Sequence, residues 1–350
     1  MTDKYADGDK IASLIAASND ILLAGHTNPD GDSIGSLVAM GTWLENMDKR
    51  VICVVPNEIP RSLRKAKGGM KIYDFTSAER YVNERLSRCD LIICLDFNDM
   101  ATRIGALGAV LEAHACPKIL IDHHLSPVAE SFDAIISDPS ASSTCYLVYQ
   151  LITGIAGTDG ITPRIASALY MGMMTDTGKF SFGALTPELF RAVAVLVERG
   201  ADIQAVDMAV FNSQSEGRLR LTGYALHKKM VVLHGRGAAY ITLTLSELNR
   251  FRHQSGDTDG LVNMPMHIEG IDISALFIET AECIKISFRS RGDNSLDVNT
   301  FARKYFTGGG HRNAAGAKSF DTMDNTVARF IEALQAEAAA KASTANSRMS

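Results

Sequence analysis

The first half of this sequence repeats one pattern, in which a short and mostly apolar run is followed by a longer helical stretch. The runs are ILLAGH (21–26), RVICVV (50–55), LIICLD (91–96), KILIDH (118–123) and DAIIS (133–137). Such nearly continuous β-branched runs are typical of strands that are buried on both faces. Helical stretches lie between them, for example Ser33 to Met47 and Ala101 to Ala113. The pattern predicts an α/β domain with a mainly parallel sheet flanked by helices.

The second half predicts a smaller α/β domain. Its strand-like segments are KMVVLHG, AAYITLTLS, DISALFIET and CIKISFRSR. Helices are expected near 260–267, 297–305 and 322–340, and GGGHRNAAGA (308–317) is interpreted as an interruption before a final strand. We therefore expect a first domain over 1–187, a helical connection over 188–226, a second domain over 227–340 and a disordered tail over 341–350.

Polar residues follow three of the predicted strands. His26 follows the first run, Asp96 ends the third, and Asp122, His123 and His124 end the fourth. The carboxyl ends of parallel strands form one edge of a sheet, where ligands of α/β proteins bind. These side chains are therefore expected to meet in one crevice.

The strongest local signal is HTNPDGDSIG (26–35), which lies between a predicted strand and a predicted helix. Pro29 and Gly31 favour a tight turn that directs His26, Asp30 and Asp32 into one pocket. The alternative is that the aspartates simply cap the helix. Asp176 ends a further predicted helix over 162–175, where the alternative is a helix-terminal turn.

Together these positions offer carboxylates and imidazoles but no thiolate. This mixture favours Mn²⁺, Mg²⁺ or Co²⁺ over a structural Zn²⁺. Five or more such groups exceed the needs of one ion. A carboxylate shared by two divalent ions is the arrangement used for displacement at phosphorus, and we therefore expect a two-metal site.

A glycine cluster, Gly308, Gly309 and Gly310, precedes His311 in the second half. Consecutive glycines allow a backbone nest that binds phosphate, although a flexible turn is the alternative. His311 and the nearby basic strand that contains Arg289 favour anion binding.

Bulk properties limit the partners. The formal net charge of −5 argues against a long duplex and permits a small phosphorylated substrate. The aromatic content of 7%, without a periodic aromatic platform, argues against an exonuclease that acts on long single strands. The six cysteines are scattered and include no CxxC pair, as is typical of reduced thiols. No secretory signal and no apolar run near 18 residues is present, so we expect a cytoplasmic protein without membrane contact.

The motifs HTNPDGDSIG, LIICLD, IDHH and MTDTG, in this order, resemble the four motifs of the DHH phosphoesterase superfamily. The GGGH element resembles the DHH-associated C-terminal domain. The compact two-domain layout is most similar to the NrnA-type group of bifunctional oligoribonucleases and pAp phosphatases.

The resemblance implies that His26, Asp30 and Asp96 hold one metal ion. It implies a second ion held by a set that shares Asp96, namely Asp32, Asp96, His123 and Asp176. His124 is then expected to face the substrate phosphate, with Asp122 orienting the neighbouring histidines. Contacts with substrate are expected from Arg103, Arg289, Gly308, Gly309, Gly310 and His311.

The function implied is hydrolysis of short oligoribonucleotides such as pApA to 5′-mononucleotides, or of pAp to AMP, by water that two metal ions, foremost Mn²⁺, activate. Three alternatives remain open: a cyclic di-AMP phosphodiesterase, a pyrophosphatase or exopolyphosphatase-like enzyme, and a nucleotide-sensing module without turnover. A homodimer is a further expectation.

Overall fold

The computed structural model describes residues 7–212, 214–254, 256–292 and 295–347. The chain divides into two compact units, Met1–Ser213 and Gln214–Ser350, each built around a six-stranded sheet. The segment 188–226, expected to be a helical connection, contains three helices, and the boundary between the units lies inside it. No helix in the described ranges is long and apolar enough to span a bilayer.

The first sheet is parallel throughout, with the strand order β3-β2-β1-β4-β5-β6. Its strands are β1 (Asp20–Ala24), β2 (Arg50–Val55), β3 (Ile72–Asp74), β4 (Leu91–Leu95), β5 (Lys118–Asp122) and β6 (Ala134–Ser137). The predicted α/β architecture with a mainly parallel sheet is therefore confirmed.

Ten α-helices are described in the first unit. They are α1 (Gly8–Ala17), α2 (Gly31–Glu45), α3 (Arg61–Ala66), α4 (Phe75–Leu86), α5 (Met100–Arg103), α6 (Gly105–Ala113), α7 (Thr144–Ala156), α8 (Pro163–Asp176), α9 (Pro187–Glu198) and α10 (Ile203–Phe211). Along β1, Leu23 belongs to one core and its neighbour Leu22 to a second core on the opposite face. Both faces are covered, which is why the strands are apolar without alternation.

The strand order reverses direction between β1 and β4. From β1 the chain moves outward through β2 to β3, and it then returns to pair β4 with the free side of β1. The carboxyl ends of β1 and β4 therefore flank the crevice where open α/β sheets bind ligands.

The second unit has a mixed sheet in the order β11-β12-β10-β9-β8-β7, in which only β8 and β9 pair in parallel. Its strands are β7 (Met230–Leu233), β8 (Ala238–Leu243), β9 (Ile273–Glu279), β10 (Ile284–Ser290), β11 (Thr307–His311) and β12 (Ala314–Ser319). Its helices are α11 (Glu216–Tyr224), α12 (Leu245–Arg250), α13 (Val298–Tyr305) and α14 (Met323–Ser347), with a π-helix at Ala225–Lys229 and a 3₁₀ helix at Leu261–His267. Four aromatic rings fill the core beside the sheet: Phe277, Phe288, Phe301 and Phe330.

The glycine cluster forms a strand, so the expected interruption is wrong. Gly308, Gly309 and Gly310 lie in β11, which pairs antiparallel with β12. A Cβ atom on Gly308 would lie 2.2 Å from the carbonyl oxygen of Gly316, and one on Gly310 would lie 2.6 Å from that of Ala314. Because glycine has no Cβ, β11 and β12 can pair closely at these positions. The Gly310 N–H donates to Asn299 Oδ1 at 3.0 Å and is not available to a phosphate nest.

The segment expected to be a disordered C-terminal tail, 341–350, overlaps the last helix. Helix α14 continues to Ser347 and so includes residues 341–347. The residues just before 341 are rich in alanine, which has the highest helix propensity and therefore favours continuation of the helix. The last three residues of the predicted tail, 348–350, lie outside the described residues.

Glu247 gives the second unit a pH-dependent contribution to stability. Its carboxylate accepts from Thr244 N at 2.8 Å and from the Tyr224 hydroxyl at 2.6 Å, and Lys229 Nζ lies 3.0 Å away. Burial alone would raise the pKa of Glu247, but these three contacts lower it to about 2. A depressed pKa stabilises the fold above the unfolded value near 4.5, and this stability is lost as the pH falls toward 2.

We expect Glu247→Gln to lower the free energy of unfolding by about 1–3 kcal/mol at pH 7, because charge-assisted hydrogen bonds are lost. The deficit should shrink as the pH is lowered below about 4.5. Urea unfolding of wild type and variant at several pH values checks this, with Glu332→Gln on the exposed face of α14 as control. A deficit that is independent of pH would contradict the role of the charge.

Candidate metal centre

Three strand ends bring the site together. His26 lies two residues after β1, Asp96 directly follows β4, and Asp122 is the last residue of β5, with two histidines after it. Asp30 is the N-cap of α2, where its Oδ1 accepts from the N–H groups of Asp32 (3.0 Å) and Ser33 (3.1 Å). The two interpretations of HTNPDGDSIG are thus compatible, because Asp30 caps α2 and also faces the cluster.

One group of potential ligands surrounds His26. Its Nε2 lies 3.4 Å from Asp96 Oδ2 and 3.7 Å from Asp30 Oδ1. Its Nδ1 lies 2.9 Å from the carbonyl oxygen of Thr27, to which it donates. That hydrogen bond fixes the ring and directs Nε2 at the two carboxylates, as is usual for metal-binding histidines.

A second group surrounds His123. Its Nε2 lies 3.2 Å from Asp176 Oδ2, 3.6 Å from Asp96 Oδ1 and 4.0 Å from Asp32 Oδ2. Asp96 therefore contacts one histidine with each of its oxygens. One ligand atom per residue lies within 4.8 Å of the others in His26–Asp30–Asp96 and likewise in Asp32–His123–Asp176, which is compact enough for a cation.

The charges of the site favour bound cations. Asp32 and Asp96 are 0% and 2% exposed, and among the described residues neither forms an ion pair with lysine or arginine. Burial and the neighbouring carboxylates raise the pKa values of Asp32 and Asp176 well above their usual range. Buried carboxylates without a basic partner are costly, and oxygen ligands with imidazole suit Mn²⁺ or Mg²⁺. The donor set therefore fits divalent metal ions.

The neighbouring carboxylates also shift the pKa of the His26 imidazole. Burial alone would lower its pKa, but hydrogen bonds to Asp30 and Asp96 raise it well above the usual value. Against the effect of burial, the hydrogen bond from His26 holds the pKa of Asp30 below its usual range. The raised pKa of His26 thus reflects the excess of carboxylate charge in the cluster, which bound cations would neutralise.

Asp122 is fully buried and holds His124 at two points. Its Oδ1 lies 2.7 Å from His124 Nδ1, and its Oδ2 accepts from the His124 N–H at 3.1 Å. Burial alone would lower the pKa of His124, but the hydrogen bond to Asp122 and the charge of Asp96 raise it. Asp96, His123 and His124 also form a third group of possible metal ligands.

The remaining predicted residues lie in different places. Arg103 ends α5, its carbonyl oxygen accepts from the Thr27 N–H at 3.1 Å, and its charge acts to lower the pKa of His124. Arg289 is on β10 of the second unit, where its Nη1 donates to the carbonyl of Phe288 at 2.9 Å. The backbone of His311 ends β11, and its side chain is outside the described part of the structure.

Sequence reasoning missed the support of Asp32 by the first turn of α7. The N–H groups of Thr144 and Cys145 donate to the two oxygens of Asp32 at 2.6 and 2.8 Å, and Thr144 Oγ1 donates to Asp96 at 3.0 Å. A helix N-terminus favours a negative charge in this position. Ser143 caps α7 and is a recognisable signal for a helix start, but its proximity to Asp32 is not readable from the sequence.

Glycines at the crossing of α2 and α8 were also missed. A Cβ on Gly172 would lie 2.2 Å from Cys145 Sγ and 2.5 Å from Asp32 Oδ1, and a Cβ on Gly35 would lie 2.6 Å from the carbonyl oxygen of Ala168. The close crossing of these helices brings the carboxyl end of α8, with Asp176, to the start of α2.

Asp96 has a left-handed backbone, with φ of 68°. This conformation is uncommon for a residue with a side chain, and such residues cluster at functional sites. The Asp96 N–H donates to the carbonyl of Ile121 at 3.1 Å, so the adjacent strand holds the residue in place. The turn after β4 therefore directs the carboxylate of Asp96 between His26 and His123.

A six-stranded parallel sheet with an acidic and imidazole-rich cluster at its switch point defines a candidate metal-dependent hydrolase. Residues 20–173 match the DHH family, N-terminal domain, and residues 237–340 match the DHHA1 domain. The chain belongs to the DHH family, which confirms the resemblance found in its motifs.

Two curated relatives are similar over most of their length. The bifunctional oligoribonuclease and PAP phosphatase NrnA of Thermus thermophilus is 30% identical, with 93% of this chain and 92% of the relative covered. The protein of the same name from Bacillus subtilis is 27% identical, with 90% and 94% covered.

Solved structures support the fold. An exopolyphosphatase-related protein from Bacteroides fragilis has a TM-score of 0.89 and 35% identity, and the match covers 94% of this chain and 96% of that protein. RecJ from Thermus thermophilus, solved in complex with Mn²⁺, has a TM-score of 0.54 at 12% identity, covering 97% of this chain and 55% of RecJ. The similarity to RecJ concerns the fold alone.

Proposed function

We propose that this protein is a two-metal phosphoesterase that hydrolyses short oligoribonucleotides to 5′-mononucleotides and pAp to AMP. The observation that carries the proposal is the pair of ligand groups that share Asp96, since each of its oxygens lies within 3.6 Å of a different histidine. The names of the relatives from Thermus thermophilus and Bacillus subtilis support this choice of substrate.

The metal assignment follows the two groups. His26, Asp30 and Asp96 would hold one ion, and Asp32, Asp96, His123 and Asp176 the other. Mn²⁺ is the preferred ion, with Mg²⁺ or Co²⁺ as alternatives, because hard oxygen ligands dominate. When bound, such ions supply Lewis acidity and a nucleophilic water at neutral pH.

His124 would act on the phosphate rather than on a metal. Asp122 holds its Nδ1 and raises its pKa, which keeps the imidazole protonated at a higher pH. Its Nε2 then donates to a phosphoryl oxygen, where negative charge develops during displacement. Arg103 would add positive charge on the same side, since it already influences the pKa of His124.

We expect His124→Gln to lower kcat by about 100-fold, because a donor to the transition state is lost. Mn²⁺ affinity, measured by calorimetry, should stay within about threefold of wild type, since ligand loss costs much more. Gln matches His in size and retains a donor, so the fold should persist. A large loss of Mn²⁺ affinity would instead make His124 a ligand.

The first unit would carry the metal centre. The second unit would contact the substrate through Arg289 and His311, and through Gly308 and Gly309 rather than Gly310, whose N–H donates to Asn299. The six free cysteines are compatible with a reducing compartment, and we assign the protein to the cytoplasm. Short RNA or a small nucleotide is the expected partner, and a homodimer is included in the proposal.

Product analysis tests the substrate assignment. Purified protein with Mn²⁺ is incubated in parallel with pAp, pApA, a five-nucleotide RNA, cyclic di-AMP, pyrophosphate and polyphosphate, with Asp96→Asn as control. Turnover of pApA, short RNA and pAp is expected. Exclusive turnover of polyphosphate would favour the second candidate, an exopolyphosphatase, which the description of the Bacteroides fragilis protein suggests.

A further inference from the structure

A basic segment stands out in this acidic chain. Residues 61–71, RSLRKAKGGMK, contain five cations and no acidic residue, although the whole protein has a net charge of −5. Helix α3 covers the first part of the segment. Lys65 is exposed, and among the described residues neither Lys65 nor Lys67 forms an ion pair.

This segment starts at the edge of the sheet that carries the metal centre. The chain leaves the carboxyl end of β2 at Val55 and reaches α3 through a short loop. In that loop Asn57 exchanges two hydrogen bonds with Asn28, of 2.7 and 2.9 Å. Asn28 lies between His26 and Asp30, so the start of the basic segment is tied to the turn that carries these two ligands.

Two tyrosine rings follow the segment. Tyr73 and Tyr81 have ring centroids 4.7 Å apart, and Lys71 Nζ lies 4.8 Å from the Tyr73 centroid. Tyr81 is 42% exposed, although it is a large aromatic residue.

The register of the sheet relates Tyr73 to the strand that leads to His26. Tyr73 pairs with Val54, and Val54 pairs with Ala24, two residues before His26. Two strand spacings separate Tyr73 from Ala24, which is roughly 10 Å. A chain of a few nucleotides can cross that distance.

We propose that Lys65, Lys67, Lys71, Tyr73 and Tyr81 bind the part of an oligoribonucleotide that extends beyond the two nucleotides at the metal centre. These residues, here called the lysine–tyrosine surface, wrap around the edge strand β3, because α3 packs on the core of one face of the sheet and Tyr73 on the core of the other. Cations that follow the backbone and exposed aromatic rings that stack on bases are how single strands are held. The surface is short and suits a short substrate. This inference rests on the proposed function and adds a preference for chains of three or more nucleotides.

The test compares substrate lengths. Lys65→Gln/Lys71→Gln removes two charge contacts and Tyr81→Ala removes one stacking contact. In each variant, kcat/KM for a five-nucleotide RNA should fall about tenfold. The kcat/KM values for pApA and pAp should change less than about twofold. For the double variant, the slope of log KM against log salt with the five-nucleotide RNA should decrease by about 1.4, or 0.7 for each lost phosphate contact.

Two controls sharpen the result. Arg50→Gln/Arg88→Gln removes two exposed cations at the opposite edge of the same sheet and should leave all substrates unaffected. Tyr81→Phe keeps the ring and should retain turnover of the longer RNA. Equal losses for all lengths, or no loss for the five-nucleotide RNA, would overturn the inference while the proposed function stands. Failure of the wild type to cleave pApA and RNA would overturn both.

Discussion

Asp96→Asn is expected to abolish hydrolysis almost completely. Asp96 directs one oxygen at His26 and the other at His123, at 3.4 and 3.6 Å, and so belongs to both ligand groups. Asparagine has one oxygen acceptor and no charge, and it cannot serve both groups as a carboxylate does. Because even residues that support a ligand contribute 10–100-fold, we expect kcat/KM to fall by more than about 100-fold.

Thermal denaturation separates this effect from misfolding. The charge of Asp96 raises the pKa values of Asp32 and Asp176, so Asp96→Asn relieves repulsion among buried carboxylates, which offsets the loss of its ion pair with His26. The metal-free variant should therefore remain folded. Mn²⁺ should raise the melting temperature of wild type and raise that of Asp96→Asn much less.

Asp133→Asn, at the opposite edge of the sheet, is the matched control and should behave as wild type, because an asparagine oxygen can still accept from the Lys118 N–H. Retained hydrolysis in Asp96→Asn would refute the shared-carboxylate arrangement.

Gly172→Ala is expected to cause the largest loss of stability and to weaken metal binding as well. The added Cβ would meet Cys145 Sγ at 2.2 Å and Asp32 Oδ1 at 2.5 Å, and both partners are fully buried. Helix α8 would have to move away from α2, which displaces Asp176 from Asp32. We expect the free energy of unfolding to fall by about 3 kcal/mol, at the upper end of the range for overpacking a core.

Gly154→Ala is the matched control for this substitution. Gly154 is also in a helix, α7, but a Cβ there would meet nothing within 4 Å. Alanine should therefore stabilise α7 by about 0.5–1 kcal/mol, through helix propensity alone. Urea unfolding and Mn²⁺ titration of both variants check the comparison. A stabilising effect at both positions would show that the close crossing of α2 and α8 does not constrain the site.

Several conclusions could be drawn from the sequence because they depend on local pattern. The apolar runs predict buried parallel strands, since only a sheet covered on both faces needs such continuous hydrophobicity. The position of His26 after β1 and of Asp96 after β4 then follows, because parallel strands present their carboxyl ends at one edge. The motif order indicates the family by resemblance, since each motif is a short run of residues in the sequence.

Contacts between distant segments required the tertiary structure. The N–H groups of Thr144 and Cys145 reach Asp32 across more than 110 residues, and Gly172 matters only because α8 crosses α2 there. The left-handed backbone conformation of Asp96 could not be predicted from the sequence either, because a non-glycine residue gives no local signal for it.

The sequence alone therefore determined which residues could bind metal and that they would gather at one edge of a sheet. The division into two groups that share Asp96 was implied by the family resemblance. Only the tertiary structure gave the distances from Asp96 to His26 and His123, and only it showed that GGGH forms a strand rather than a loop. The physical reason for this difference is that side-chain type and the hydrophobic period of a strand can be read from a short stretch of sequence. Helix crossing, backbone strain and hydrogen bonding across the fold depend on packing, which no single segment specifies.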